Sequence, residues 1–268
     1  MAGLPEFDVA GQVVIVTGAG RGIGRALALD LAASSATVVA VSRTRSDLDA
    51  LQAEIEEAGG EAVTVVADLA TTDGARTLVE EAVAACGRID GLVNNVGWDV
   101  RRDAVDYTED EVDRILSVNL KAAYWTSVYA AKRMLEQGTG GAIVNVASQA
   151  GILGSHGRAP YSAAKAGLLN LTRSLATEWG RAGIRVNALA PGVTLTDPVR
   201  MSLAARPHFA AEVRERILLG RPADPREVGL PILFLLSPAA AMITGQTLVV
   251  DGGWTAAWSV SKADGSIV

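Results

Sequence analysis

The chain has 268 residues, 49% of them apolar and 20% charged, with 28 glycines; this composition describes a globular protein with a large core and excludes a disordered or fibrous one. Lys and Arg number 24 against 30 Asp and Glu, a formal charge of -6, and no basic run is long enough to follow a phosphate backbone, so nucleic acid is excluded as a partner. Cys86 has no second cysteine to pair with and His156 and His208 are the only histidines, so neither a disulfide framework nor a zinc site, nor any other metal, is expected. Residues 1–12 lack the basic start and apolar stretch of a signal peptide, and the longest apolar runs fall far short of the ~20 residues that cross a bilayer. The expected setting is a reducing cytoplasm, away from any membrane.

Along the chain, short β-branched runs alternate with helical periodicity, the pattern of βαβ units stacked on a parallel sheet. Strands are predicted at 12–17, 36–41, 62–67, 91–94, 142–147, 184–190 and 246–250, nearly all apolar as strands covered on both faces must be. Helices are predicted at 23–34, 45–58, 72–86, 109–137, 160–181 and 225–237, with Ser46, Thr72 and Thr108 as start signals. This is an α/β fold: a seven-stranded, doubly wound parallel sheet with helices on both faces, one domain over 1–268 without linker or repeat. Two segments break the pattern. Residues 194–220, with Pro198, Met201, Pro207 and Phe209, read as a flap over a substrate site, and 254–268, with Trp254 and Trp258, as a tail either frayed or docked on another subunit.

The chemistry begins where the first strand ends. Thr17-Gly18-Ala19-Gly20-Arg21-Gly22-Ile23-Gly24 runs straight into a helical pattern, and glycines there allow a tight turn and close approach of a pyrophosphate to the helix N-terminus. The carboxylate that grips a ribose 2′-hydroxyl in NAD sites would end the second strand, but Val41 is followed by Ser42-Arg43-Thr44-Arg45. A guanidinium at that point suits a 2′-phosphate, which Arg43 and Arg21 can hold by charge-assisted hydrogen bonds; Arg45 would serve equally well. The cofactor expected is NADP(H). Further on, Tyr161 and Lys165 stand four residues apart on a predicted helix, about 6 Å along its axis, so an ammonium lies beside a phenol. A neighbouring cation favours phenolate and would make Tyr161 a usable acid/base near neutral pH.

Together with Asn94-Asn95-Val96-Gly97, Asn119, Ser148, Tyr161-Ser162-Ala163-Ala164-Lys165 and Pro191-Gly192, the glycine turn makes the chain resemble the short-chain dehydrogenase/reductase family, over roughly residues 9–253. The resemblance implies a Rossmann fold that moves a hydride between a nicotinamide cofactor and a carbonyl or alcohol carbon. It implies Tyr161 as proton donor to the carbonyl oxygen, Ser148 as the hydrogen bond that polarises it, Lys165 as the group that lowers the phenol pKa and holds the nicotinamide ribose, and Asn119 as the anchor of a proton-relaying water. It further places Asp68 and Leu69 at the adenine, Asn95 against the adenosine ribose with Val96 and Gly97 beside it, and Pro191, Gly192, Val193 and Thr196 at the carboxamide.

Two departures stand out: Val96 where the family commonly has alanine, and Trp98 where it has a small or aliphatic residue. Trp98 is either a pocket wall or a core or interface aromatic; Gln149, Ala150 and Met201 complete the candidate pocket residues. His156 and Arg158 fall in a glycine-rich loop, where they either touch a polar substrate or, as the loop position favours, are solvated, and Cys86 reads as inert core. The helix around Tyr161 is apolar on more than one face, which predicts a homo-oligomer, dimer or tetramer, unless a neighbouring helix of the same chain covers it. The partner expected otherwise is a small carbonyl or alcohol substrate. Ketones and secondary alcohols, including keto-sugars, compete with 3-oxoacyl thioesters and with imines as substrate class, and a non-catalytic NADPH-binding sensor is the alternative to an enzyme.

Overall fold

The apolar segments pair side by side, as strands covered on both faces must. A computed structural model describes residues 5–257. The strands are β1 (Val13–Thr17), β2 (Thr37–Ser42), β3 (Glu61–Val66), β4 (Gly91–Asn94), β5 (Gly141–Val146), β6 (Ile184–Pro191) and β7 (Thr247–Val250), all parallel, in the order β3-β2-β1-β4-β5-β6-β7. The helices are α1 (Gly22–Ala33), α2 (Arg45–Glu57), α3 (Thr72–Cys86), α4 (Glu109–Leu116), α5 (Ala122–Gln137), α6 (Ala159–Trp179), α7 (Asp197–Ala205), α8 (Pro207–Arg216) and α9 (Pro225–Leu236). The chain is a single α/β domain of Rossmann type.

Each sheet face has its own core. On one side Leu27 and Leu31 of α1, Leu48 and Leu51 of α2 and Val228 and Ile232 of α9 cover Val14, Val16 and Val38. On the other, Leu78 of α3, Met134 of α5 and Leu175 of α6 cover Ile15, Val39, Leu92 and Ile143. The sheet winds outward from β1 to β3 and then returns to place β4 on the other flank of β1. Between the carboxyl ends of β1 and β4 the connections diverge, and the crevice they leave is where such sheets receive ligands. Beneath it, Asn94 Nδ2 donates to Asn145 Oδ1 at 2.8 Å and to Ser127 Oγ at 2.9 Å, and Asn145 Nδ2 donates to Thr172 Oγ1 at 2.9 Å. This buried polar ladder ties β4, β5, α5 and α6 into one unit, with every link satisfied.

Several sequence expectations change. The helix expected over 109–137 is broken by a π-turn at Ser117–Lys121, a wider turn that periodicity over an apolar face does not reveal. Thr108 starts α4 in a reciprocal cap with Glu111, and α2 and α3 begin at Arg45 and Thr72 as expected, but their caps are Thr44 and Thr71 in place of Ser46 and Thr72, Thr71 accepting from Gly74 N. The flap folds as α7 and α8. The second apolar face of α6 is covered largely by its own chain: Ala164, Leu168, Leu169 and Leu175 are buried, and Leu171 and Trp179 pack against the core. Of the tail only 254–257 are described, with Trp254 lying under Arg216 at 5.1 Å; Trp258 lies outside the described residues.

The first turn of α1 can approach β1 only because Gly24 has no side chain. A Cβ there would collide with Gly18 O and lie 2.6 Å from Asn95 Nδ2. Gly24→Ala is therefore expected to lower stability by about 1–3 kcal/mol, the usual cost of overpacking, read as a lower urea midpoint at unchanged slope.

Candidate active site

Two adjoining clefts of about 490 and 450 Å³ open along the carboxyl ends of the strands and share Ile23, Asn95, Gly97, Trp98, Thr196 and Pro198. The first lies over the glycine turn. Gly18, Gly20, Arg21, Gly22 and Ile23 form its floor, Ser42 and Arg43 one end, and Asp68, Leu69, Asn95, Val96 and Gly97 the side wall. Gly24 stands behind this surface as a packing residue. Ser42 Oγ accepts from Thr44 N at 3.2 Å and shapes the turn that brings Arg43 to the cleft. Arg45 turns away, donating to Thr64 Oγ1 at 3.4 Å and facing Asp49 at 4.0 Å, so Arg43 and not Arg45 lines the cleft. Sequence reading missed Asp47, which brings a carboxylate to the same corner beside Gly20; Arg21 and Arg43 outnumber it.

Asn95 does more than line a wall. Its Nδ2 donates to Thr17 O at 2.9 Å and Gly18 O at 3.2 Å, while its backbone N and that of Val96 donate to Thr17 Oγ1 at 2.9 and 3.1 Å. These bonds hold the ends of β1 and β4 at a set separation. Asp68 is fixed by accepting from Ala70 N at 3.1 Å.

The second cleft is lined by Ser148, Tyr161 and Lys165 together with Gln149, Pro191, Gly192, Val193 and Thr196. Ser148, at the end of β5, caps a short turn by accepting from Ala150 N at 3.1 Å. Ala150 itself is buried below the surface, and Met201 is 73% exposed on the outside of α7; neither forms the pocket wall expected of it, because α7 turns Val199 and Ser202 inward instead. Lys165 is buried, with Nζ donating to Val146 O at 2.8 Å. Burial, reinforced by the charge of Arg158, brings its pKa down to about 8.

Asn119 sits in the π-turn. Its Nδ2 donates to Trp98 O at 2.6 Å and to Ile115 O at 2.9 Å, the carbonyl a regular helix would give to its own backbone N–H, and its Oδ1 accepts from Trp98 N at 3.3 Å. A Cβ on Gly97 would stand 3.2 Å from Asn119 Oδ1 and 3.9 Å from Lys165 Nζ, so a glycine there lets the amide and the ammonium converge on one spot.

Burial raises the Tyr161 phenol above its ordinary value; Arg158 and then the Ser148 hydroxyl pull against it, and Asp99 adds to the rise. Lys165 Nζ lies 5.7 Å from the ring centre. The expectation that Lys165 depresses the phenol is thus corrected. The cation doing so is Arg158, whose guanidinium carbon is 4.3 Å from the Tyr161 ring centre and whose Nε donates to Asp99 Oδ2 at 2.7 Å. Arg158 is not the solvated loop residue the glycine-rich stretch suggests; His156, 95% exposed at its side chain, is. Trp98 lines both clefts, backed by Arg114 at 4.5 Å. Cys86 is half-buried, its thiol pushed up by burial. Among the described residues no group of His, Cys, Asp and Glu is placed to hold a metal ion, and no helix is long and apolar enough to cross a membrane.

Residues 18–255 match the family described as enoyl-(acyl carrier protein) reductase. The chain is 37% identical over 253 residues to 2-dehydro-3-deoxy-D-gluconate 5-dehydrogenase of Escherichia coli (strain K12), covering 94% of this chain and 99% of that protein. The chain belongs to the short-chain dehydrogenase/reductase family. To L-xylulose reductase of Mus musculus this dehydrogenase/reductase is 42% identical over 251 residues, with 94% and 99% covered. The crystal structure of a gluconate 5-dehydrogenase from Burkholderia cenocepacia J2315 in complex with NADP and tartrate superimposes with a TM-score of 0.90 at 32% identity, covering 94% of this chain and 98% of that one. As a member of this family the protein is an oxidoreductase acting between alcohols and ketones.

A phenol held above its ordinary pKa stays protonated at neutral pH. Ketone reduction is expected to be flat through neutrality and to fall at alkaline pH, while alcohol oxidation rises there. Replacing Arg158 by Met removes the main charge favouring phenolate, leaving Lys165, Asp99 and Ser148 around the ring. The alkaline limb of the kcat/KM profile is then expected to move upward.

Proposed function

We propose that the protein is an NADP(H)-dependent oxidoreductase interconverting a small ketone and its secondary alcohol, with Tyr161 as general acid/base. The observation that carries this reading is one continuous groove with a glycine cradle and paired arginines at one end and Ser148, Tyr161 and Lys165 at the other, with Asn119 buried behind the Trp98 wall. The residues present fit the nucleotide. A Cβ on Gly20 would fill the cradle, reaching 2.8 Å from Asp47 Cβ, and Arg21 and Arg43 offer two guanidiniums to a 2′-phosphate. Gly18, Gly20, Gly22 and Ile23 would hold the pyrophosphate, Asp68, Leu69, Asn95 and Val96 the adenosine, and Lys165, Pro191, Gly192, Val193 and Thr196 the nicotinamide half. When bound, the nicotinamide supplies or accepts the hydride.

The chain's own groups do the rest. Ser148 donates to the carbonyl oxygen and, with Tyr161, stabilises the developing alkoxide. Reduction adds a hydride to the carbonyl carbon and the Tyr161 proton to the oxygen; Lys165 and a water held at Asn119 return a proton to the phenol. Arg158 keeps the phenol within reach of deprotonation, and Trp98 walls the pocket. Tyr161→Phe is expected to lower kcat by about 10²–10⁴-fold, the usual worth of a positioned acid/base, while NADPH still binds by fluorescence titration. Retained turnover would overturn the role. Arg43→Ala is expected to weaken NADPH binding by roughly 10- to 100-fold and to leave NADH nearly unchanged, as loss of one charge-assisted contact requires.

The same reading makes the protein a cytoplasmic homo-oligomer. Its support is the edge strand β7, whose Leu248 and Val249 are 37% and 39% exposed, with Leu230 of α9 at 46% and Met242 at 97% beside that edge, and Tyr124 and Leu135 of α5 exposed on another face. Light scattering during gel filtration, with the mass of a dimer or tetramer expected, tests it.

A further inference from the structure

The substrate half of the groove is more cationic than reduction of a neutral ketone needs. Arg101, Arg158 and Lys165 line it against the single carboxylate of Asp99. Arg206 joins them: its guanidinium carbon lies 4.8 Å from the Phe209 ring centre and that of Arg101 lies 5.8 Å from the same ring, so two cations flank one aromatic at the cleft wall. Burial lowers the Arg101 pKa first, and the charges of Arg158 and Arg206 lower it further against the opposing carboxylate of Asp99. Arg158 has an acidic partner in Asp99. Arg101 forms no ion pair among those found in the described residues.

Two acceptors complete the picture. Asp99 Oδ1 and Gln149 Oε1 are both buried without a hydrogen-bond partner, and both residues line the cleft that holds Tyr161. An acceptor buried without a partner is costly, so a ligand that brings donors recovers that loss on binding. A guanidinium calls for an anion, and unpaired oxygens call for hydroxyl groups.

We infer that the substrate is a small hydroxylated oxo-carboxylate or the matching hydroxy acid, its carboxylate seated on Arg101 and Arg158 and its hydroxyls donating to Asp99 Oδ1 and Gln149 Oε1. The inference rests on the dehydrogenase reading above and narrows it. It separates a sugar-acid substrate from a neutral ketose, which would leave Arg101 unanswered. It also separates it from a 3-oxoacyl thioester, whose acyl chain has no hydroxyls for Asp99 and Gln149. Arg101 and Arg158 are then specificity residues, while the reacting carbonyl stays with Ser148 and Tyr161.

The test compares kcat/KM, with NADPH for reduction and NADP⁺ for oxidation, across three sets: five- and six-carbon oxo-aldonates with their aldonates, the matching neutral ketoses and alditols, and an acetoacetyl thioester. The acids are expected to be preferred by about 10- to 100-fold over the neutral sugars, the worth of a charge-assisted contact. Arg101→Met is expected to reduce that preference to near unity, acting mainly through KM for the acid, and Arg101→Lys to restore part of it. Calorimetry with tartrate and the NADP⁺ complex supplies a reading without turnover: heat of binding with the unaltered protein, none with Arg101→Met. Equal or better turnover of neutral sugars or of the thioester overturns the anion assignment and leaves the dehydrogenase reading standing. An unchanged acid-to-neutral ratio in Arg101→Met also overturns it. NADPH binding with no turnover of any set overturns both.

Discussion

The whole site hangs on the separation of β1 and β4. These strands are neighbours in the sheet but their connections leave in opposite directions, and the hydroxyl of Thr17 and the amide of Asn95 set how far apart their ends stand. Thr17 Oγ1 accepts two backbone N–H groups and itself donates to Val93 O at 3.1 Å, so a fully buried hydroxyl has its capacity filled. With that spacing held, the glycine turn lies against Asn95 closely enough that Gly18 and Gly24 admit no side chain. The nucleotide cradle and the wall at Gly97 and Trp98 are both built from this point outward.

A second constraint is the cost of burying charge. Lys165 lies in the protein interior with one carbonyl as hydrogen-bond partner, and Arg158 stands over the phenol that Lys165 shares a helix with. The two cations oppose each other, and Arg158 favours the ionised form of the phenol. The Lys165 ammonium is pulled down towards neutrality, and the phenol is held below where burial alone would put it. Asp99 moderates this by pairing with Arg158. The loop that carries Asp99, Arg101 and Trp98 therefore acts on both the Tyr161 phenol and the cleft beside it. Asn119 ties that loop down, clamping the Trp98 backbone from both sides through the π-turn.

Much of this was legible in the residues themselves. Period-two and period-3.6 apolar patterns depend on neighbours along the chain, and they located the strands and helices closely; the glycine turn and the Tyr161–Lys165 spacing are local signals of the same kind. Arg158 was misread because its loop is rich in glycine, which signals exposure, while the Asp99 that draws it inward lies 59 residues away. Asp47 was missed because proximity to Gly20 is a property of packing between α2 and the glycine turn. The π-turn left no trace because widening a helix by one residue shifts its apolar stripe by less than the stripe's own width. The apolar second face of α6 was real, but the residues that cover it, Leu120 among them, come from the preceding helices of the same chain.

The sequence by itself determined the parallel sheet, the order of its elements, the nucleotide cradle and the Tyr161–Lys165 pair, because each is encoded within a few residues or in the alternation of short segments. Only the tertiary structure decided that Arg43 and not Arg45 faces the groove, that Met201 points out and Phe209 in, and that Asp99, Arg101 and Arg158 meet beside the phenol. Those outcomes depend on burial and on charges brought together across long stretches of chain, and no local pattern carries that information.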